Sequence, residues 1–195
     1  GNVIDIPHAA NFLYCQQAVE GGDTLLAPLN EIYLAVSKKL PPIDDVNFVS
    51  AHVANLSQPL AYPHPNTGVD TMFFGLGVLS GLYTRGGNAM SKAETEVITS
   101  AIEATIDSGE VDVYRHEWTS GDMLILDNLA LAHRATPGTQ DLAKGTRIMR
   151  RVTLAGENVL RRRDDIFSEV AYPRECGEDV CLVSLSPYMN YTAGS

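Results

Sequence analysis

The side chains best suited to chemistry in this chain are its histidines and a pair of arginines. His8, His52, His64, His116 and His133 include no H-x-x-x-H pair that a helix could turn toward one zinc ion. None stands in a serine elbow, so the zinc-peptidase and serine-hydrolase templates both fail. His64 lies in a Pro-rich turn, and His52 and His116 fall on strand segments where a ring can simply pack. His133 has different company. It ends a run that starts at Gly121-Asp122, crosses an apolar segment, and turns again at Asp127-Asn128. Arg147 follows fourteen residues after His133 (147 − 133) and opens Arg147-Ile148-Met149-Arg150-Arg151-Val152-Thr153. In a strand, Arg147, Met149, Arg151 and Thr153 share one face, while Ile148, Val152 and Leu154 take the other with Arg150 as the misfit. Two guanidinium groups on one face are costly to bury unless anions meet them. At ~3.3 Å per residue, Arg147 and Arg151 stand roughly 13 Å apart, which suits two anionic groups better than one. The plain alternative is a surface ion-pair ladder.

These residues need strands to hold them. Asn11–Val19 reads as a strand ending at the Gly21-Gly22-Asp23 turn. Leu29, Ile32, Tyr33 and Val36 have helical spacing over Pro28–Leu40, and Pro41-Pro42 ends that helix. Strands are expected near Asn47–Leu56 and Gln58–Tyr62, with another running through Phe73-Phe74. Ser91-Lys92-Ala93-Glu94 is a capping box, and Val97, Ile98, Ala101, Ile102 and Ile106 form the apolar stripe of a helix over 91–108 that Gly109 stops. Three β segments follow, Val111–Trp118, Asp122–Asp127 and Arg147–Ala155. Many short strands with two helices predict a mainly β, α+β architecture, a jelly roll with helices packed outside. Residues 1–156 read as one domain and 157–195 as a C-terminal extension. Its Arg161-Arg162-Arg163-Asp164-Asp165 reads as a solvated charge run.

The run G-D-x-x-x-x-D-N-x-x-x-x-H-R-A from Gly121, followed by T-R-I-M-R-R-V-T-L-A-G from Thr146, resembles the C-terminal signature of the taurine dioxygenase (TauD/TfdA) family. Where the family has W-D-N, this chain has Leu126-Asp127-Asn128. Further blocks fall in family order: Leu13-Tyr14-Cys15, Gly21-Gly22-Asp23-Thr24-Leu25, Gln58-Pro59-Leu60, His64-Pro65-Asn66-Thr67-Gly68, and Tyr114-Arg115-His116-Glu117-Trp118. The resemblance implies a cupin-like double-stranded β-helix, incomplete at its N-terminus, and an oxygenase dependent on Fe(II) and 2-oxoglutarate. It implies His133 as the distal iron ligand. Arg147 would pair with the far carboxylate of 2-oxoglutarate, where a planar guanidinium suits a two-pronged contact. Thr24 would add a hydroxyl to the same carboxylate, against the plainer reading of a strand hydroxyl. Arg151 matches a position that contacts an anionic group on a small-molecule substrate.

The resemblance also implies a His-x-Asp motif for iron, and neither His-x-Asp nor His-x-Glu occurs in the chain. His8-Ala9-Ala10 is not a substitute, because His8 stands only 16 residues before Thr24 (24 − 8), too close for that ligand. The resemblance places the missing motif immediately before Gly1, so a fragment lacking roughly 90 residues is expected. The alternative is a paralogue without iron, a non-catalytic binding or interaction module of the same fold.

Composition limits the partners. A formal net charge of −10 argues against nucleic acid as the main partner, because phosphate binding needs a basic face. No stretch approaches the ~18 apolar residues of a membrane span. Cys15, Cys176 and Cys181 match no zinc pattern. Cys176 and Cys181 are close enough in sequence to pair, but free thiols in a reducing cytoplasm are the simpler expectation. A small-molecule substrate is expected, and a homo-oligomer is allowed.

Overall fold

The computed structural model describes residues 7–50, 57–139, 145–157 and 159–169. Two three-stranded antiparallel sheets carry the expected jelly roll. The first has the order β11-β1-β9, formed by β1 (His8–Gln17), β9 (Met123–Asp127) and β11 (Ile148–Ala155). The second has the order β10-β2-β8, formed by β2 (Thr24–Pro28), β8 (Tyr114–His116) and β10 (Leu131–Ala135). Between β2 and β8 the chain adds α1 (Leu29–Ser37), β3 (Val46–Ser50), β4 (Ser57–Pro59), β5 (Ala61–Pro63), β6 (Asp70–Met72), β7 (Leu79–Thr84) and α2 (Lys92–Asp107). Strands β4-β3-β7 form a third sheet, and β5-β6 a small hairpin.

The best-packed core lies in this inserted layer. Ile32 and Val36 on α1, Phe48 on β3, Met72 on β6, Leu82 on β7 and Ile102 on α2 are all essentially inaccessible to water. Phe48 and Phe73 meet edge to face at 5.2 Å. Burying side chains of this size is worth about 1.5–3 kcal/mol each relative to exposure, so this layer can anchor the two site-bearing sheets.

Helix α2 starts as its sequence dictates. The Ser91 side chain accepts from Glu94 N at 3.3 Å, and Glu94 returns to Ser91 N at 2.7 Å, closing the capping box. The expected stripe needs correction at Val97, which is 56% exposed. The buried line is Ile98, Ile102 and Thr105 instead, because the helix packs along one narrow contact with α1. Several strand bounds also shift. The expected Gln58–Tyr62 strand divides into β4 and β5, and the strand expected through Phe73-Phe74 ends at Met72. The part of the Asn47–Leu56 segment beyond Ser50 lies outside the described residues, as do His52, Cys176 and Cys181. Strand β7 was not anticipated.

The alternation expected for β11 holds, and its apolar face is largely exposed. Asn11, Leu13 and Cys15 on β1 stand opposite Thr153, Arg151 and Met149, and Thr153 Oγ1 donates to Asn11 Oδ1 at 2.9 Å. Val152 and Leu154, the apolar face, are 59% and 49% exposed. The charge run after Gly156 is likewise more than a solvated patch. Leu160 is buried against Tyr62 and Leu129. Arg162 donates to Asp44 O at 2.6 Å and to Asn47 Oδ1 at 2.6 Å. Arg163, at the start of α3 (Arg163–Glu169), reaches Asp70 Oδ1 and Gly68 O, each at 2.8 Å. Arg85 answers with bonds to Asp164 and Asp165.

Candidate functional site

The pairing register gathers the site residues on one face of the second sheet. Thr24 pairs with Ala135 and with His116, and Leu26 pairs with His133. Cross-strand partners and residues two apart share a face. Thr24, Leu26, His116 and His133 therefore look the same way, with the Thr24 and His133 Cβ atoms diagonal neighbours at roughly 7–8 Å. Thr24 and Leu26 are buried, and His133 is half-buried.

His133 is held through the turn that precedes it. Asp127 Oδ1 accepts from Leu129 N at 2.9 Å, and Asp127 Oδ2 meets His64 Nε2 at 3.1 Å. The His64 ring is buried, and its Nδ1 accepts from Asn66 N and Thr67 N at 3.3 Å. Its proton therefore sits on Nε2, ready for donation to Asp127. Asn128 Oδ1 accepts from Asn11 Nδ2 at 2.7 Å, Asn128 Nδ2 donates to His8 O at 2.9 Å, and Tyr62 OH donates to Leu129 O at 2.8 Å. The Pro-rich turn and β1 thus clamp the 127–129 turn from two sides. The sequence places His64 only in a Pro-rich turn; in the structure it anchors the hairpin that presents His133.

Burial holds the His133 imidazole below its ordinary pKa of 6.5, and the nearby Arg151 charge adds to the effect. Arg151 lies on the other sheet, close enough for its charge to act on the ring. A neutral ring at physiological pH is the form that can donate a lone pair to a metal.

Arg147 stands just before β11 with its Nε buried and without a partner. A buried guanidinium nitrogen left unpaired is costly, and an anionic oxygen would satisfy it. The side chain passes directly over Gly22, where an added Cβ would meet Arg147 Cδ at 3.1 Å. Gly22 is two residues from Thr24, which brings the Arg147 stem and the Thr24 hydroxyl to the same end of β2. That end is firmly tied. Thr136 Oγ1 donates to Gly21 O at 2.8 Å, Thr136 N donates to Asp23 O at 3.0 Å, and Arg115 Nε donates to Asp23 Oδ2 at 2.7 Å. Gly21 has φ of 71°, a left-handed turn that glycine accepts without strain. The buried thiol of Cys15, opposite Met149 on β11, has its pKa raised by burial and partly lowered by the Arg147 charge.

Trp118 Nε1 donates to Thr24 Oγ1 at 2.9 Å, and His116 packs edge-on against the indole with ring centres 4.4 Å apart. Sequence reasoning gave Trp118 no role; its signal is the Tyr114, His116, Trp118 alternation, legible only once β8 is paired with Thr24. Beyond Trp118 lies an open depression of about 490 Å³ lined by Glu20, Asp23, Arg115 and Glu117. Three carboxylates there face one arginine already held by Asp23, so it repels an anion.

The residues present fit one expected group better than the other. Arg147 and Thr24 suit a small carboxylate. For iron, His133 is a single donor, and among the described residues no group of three His, Cys, Asp or Glu converges on a metal-sized space. Among the described residues no helix is long and apolar enough to cross a membrane.

Two three-stranded antiparallel sheets, with the His133 imidazole on one and the Arg151 charge acting on it from the other, make up a double-stranded β-helix. The chain belongs to the TauD/TfdA family: the profile described as taurine catabolism dioxygenase TauD, TfdA family matches residues 51–153, more than half of the 195. Among solved structures, a taurine dioxygenase from Burkholderia xenovorans is 26% identical with a TM-score of 0.68, the match covering 84% of this chain and 59% of that one. A second protein of that organism, assigned as an alpha-ketoglutarate-dependent taurine dioxygenase, is 24% identical with a TM-score of 0.66, over 84% and 57% of the two chains. AAD-2, solved with Mn(II) and N-oxalylglycine, is 20% identical with a TM-score of 0.65, over 81% and 67%. The chain spans less than two thirds of the length of the two Burkholderia relatives.

Proposed function

We propose that this chain carries the cosubstrate-binding half of an Fe(II)- and 2-oxoglutarate-dependent oxygenase acting on a small, anionic substrate. The observation that carries this reading is the buried, unpaired Nε of Arg147, lying over Gly22 at the end of β2 where the Thr24 hydroxyl also stands. In this reading Arg147 pairs with the far carboxylate of 2-oxoglutarate, and Thr24 donates to it. Arg151, on the His133 side of the same strand face, orients an acidic group of the primary substrate. His133, kept neutral by burial and by Arg151, offers one nitrogen to iron. Bound iron and 2-oxoglutarate would supply oxidation of an unactivated C–H bond by dioxygen, with release of succinate and carbon dioxide. Residues 1–156 belong to this oxygenase domain. Residues 157–195 form an extension, whose described part is strapped to the body through Leu160, Arg162 and Arg163.

A second reading, an iron-free binding module of the same fold, draws its support from the described residues, among which no group of three His, Cys, Asp or Glu could hold a metal. Two measurements on the chain test these readings. Calorimetry should detect 2-oxoglutarate binding, and Arg147→Ala should weaken it at least tenfold, since hydrogen bonds to charged groups are worth about 1.5–3 kcal/mol. Unchanged affinity in that variant refutes the cosubstrate assignment. The chain alone, with His133 as its donor, should take up no Fe(II) in either reading. With a His-x-Asp segment added ahead of it, anaerobic Fe(II) binding that disappears in His133→Ala supports the oxygenase, and 2-oxoglutarate binding without Fe(II) uptake supports the iron-free module.

A further inference from the structure

Trp118 is the single tryptophan of the chain, and it is buried with its one polar atom committed to Thr24. Thr24 is itself 4% exposed, so neither group can exchange this contact for water without opening the sheet. An indole N–H is a donor only, whereas a hydroxyl has one proton and two acceptor sites. With Trp118 filling an acceptor site, the Thr24 proton must point elsewhere, and the hydroxyl is biased to act as a donor. A donor is what a carboxylate needs. The His116 ring against the indole, and the Thr24–His116 pairing, hold the geometry from two sides.

We propose that Trp118 is a positioning residue for the cosubstrate: it turns the Thr24 hydroxyl into an oriented donor for the 2-oxoglutarate carboxylate, and its indole reports occupancy of that site. This rests on the cosubstrate reading of Thr24 and Arg147 given above. No proton transfer or covalent step is involved; the effect is on affinity alone.

The experiment uses the 195-residue chain, 2-oxoglutarate, calorimetry and intrinsic fluorescence. Trp118→Phe keeps the ring packing and removes the N–H, and should weaken 2-oxoglutarate about three- to tenfold, the range of one neutral hydrogen bond. Thr24→Val should weaken it comparably. In the Thr24→Val background, Trp118→Phe should cost nothing further, because the hydroxyl through which it acts is gone. Thr24→Ser should restore affinity. In the wild-type chain and in Thr24→Ser the emission of Trp118 should change with the same midpoint as the calorimetric signal, and in Thr24→Val that response should be lost. Additive penalties in the double variant, wild-type affinity in Trp118→Phe, or wild-type emission blind to calorimetrically proven binding would each overturn the proposal. If Trp118→Phe fails to fold, the fluorescence of wild type, Thr24→Ser and Thr24→Val still decides it. Absence of any 2-oxoglutarate binding to the wild-type chain would instead refute the cosubstrate reading itself, and this inference with it.

Discussion

Gly22→Ala separates a ligand effect from a stability effect at a single position. The backbone at Gly22 lies outside the left-handed region, so alanine is conformationally acceptable there. The perturbation is purely one of space. The new Cβ would meet Arg147 Cδ and Val19 Cγ2 at 3.1 Å and Val19 O at 3.3 Å. Carbon pairs prefer about 3.5–4.0 Å, so two contacts are short by roughly 0.4 Å or more. Val19 cannot retreat easily, because its carbonyl accepts from Gly22 N at 3.2 Å and closes the turn. Arg147, the long flexible side chain of the pair, must give. A shift of several tenths of an ångström at Cδ is amplified at the guanidinium, enough to spoil one of two prongs on a carboxylate. That contact is worth about 1.5–3 kcal/mol, so 2-oxoglutarate should bind roughly tenfold more weakly. Global stability should fall by up to about 2.5 kcal/mol, because overpacking by one methyl, about 1–3 kcal/mol, is only partly offset by the ~0.4–1 kcal/mol gained when the unfolded chain loses glycine's freedom. Calorimetric titration and a thermal melt on the same preparation provide both numbers. Wild-type 2-oxoglutarate affinity with an unshifted melt would refute the claim that Arg147 reaches its ligand across Gly22.

Two further outcomes follow from the same geometry. Asn128→Ala leaves Asn11 Nδ2, on a residue only 5% exposed, and His8 O without their side-chain partner; chemical denaturation should show a loss of about 1–3 kcal/mol. The His133 ring should titrate below 6.5 by NMR, and Arg151→Gln should raise its midpoint while leaving it below 6.5, because burial is the larger cause. The sign for stability follows: below about pH 6.5 the unfolded chain takes up a proton that the folded ring resists, so His133's contribution is present above that pH and is lost as pH falls.

What could be read before folding was local. The Ser91–Glu94 capping box lies within one helical turn, and both of its bonds form. The β11 alternation was legible too, because a period of two is a property of the strand alone. Which side would be covered was not, and the apolar Val152 and Leu154 ended up outward while the arginine face turned toward His133. Strand β7 stayed hidden because Gly81 interrupts it and its partner β3 is more than thirty residues away. Trp118 escaped for the same reason at longer range: its partner Thr24 is 94 residues earlier. Resemblance supplied the names of Arg147, Thr24 and His133, but the unpaired nitrogen and the indole bond are properties of the assembled sheets.

The distribution of packing explains why those sheets can hold a polar site. The densest core, around Phe48, Leu60, Met72 and Leu82, lies in the inserted layer rather than between the two site-bearing sheets. Between the sheets, Leu13, His133 and Arg147 remain only half-buried. Stability drawn from one layer leaves the other free to carry groups that a tight core would reject, including an unpaired guanidinium nitrogen and a neutral imidazole. The polar clamps on the 127–129 turn and on Asp23 then do locally what apolar packing does elsewhere: they set positions without filling the space between the sheets. Filling that space should therefore weaken binding. Gly22→Ala, which adds one methyl at the mouth of that space, tests this division with the smallest possible step.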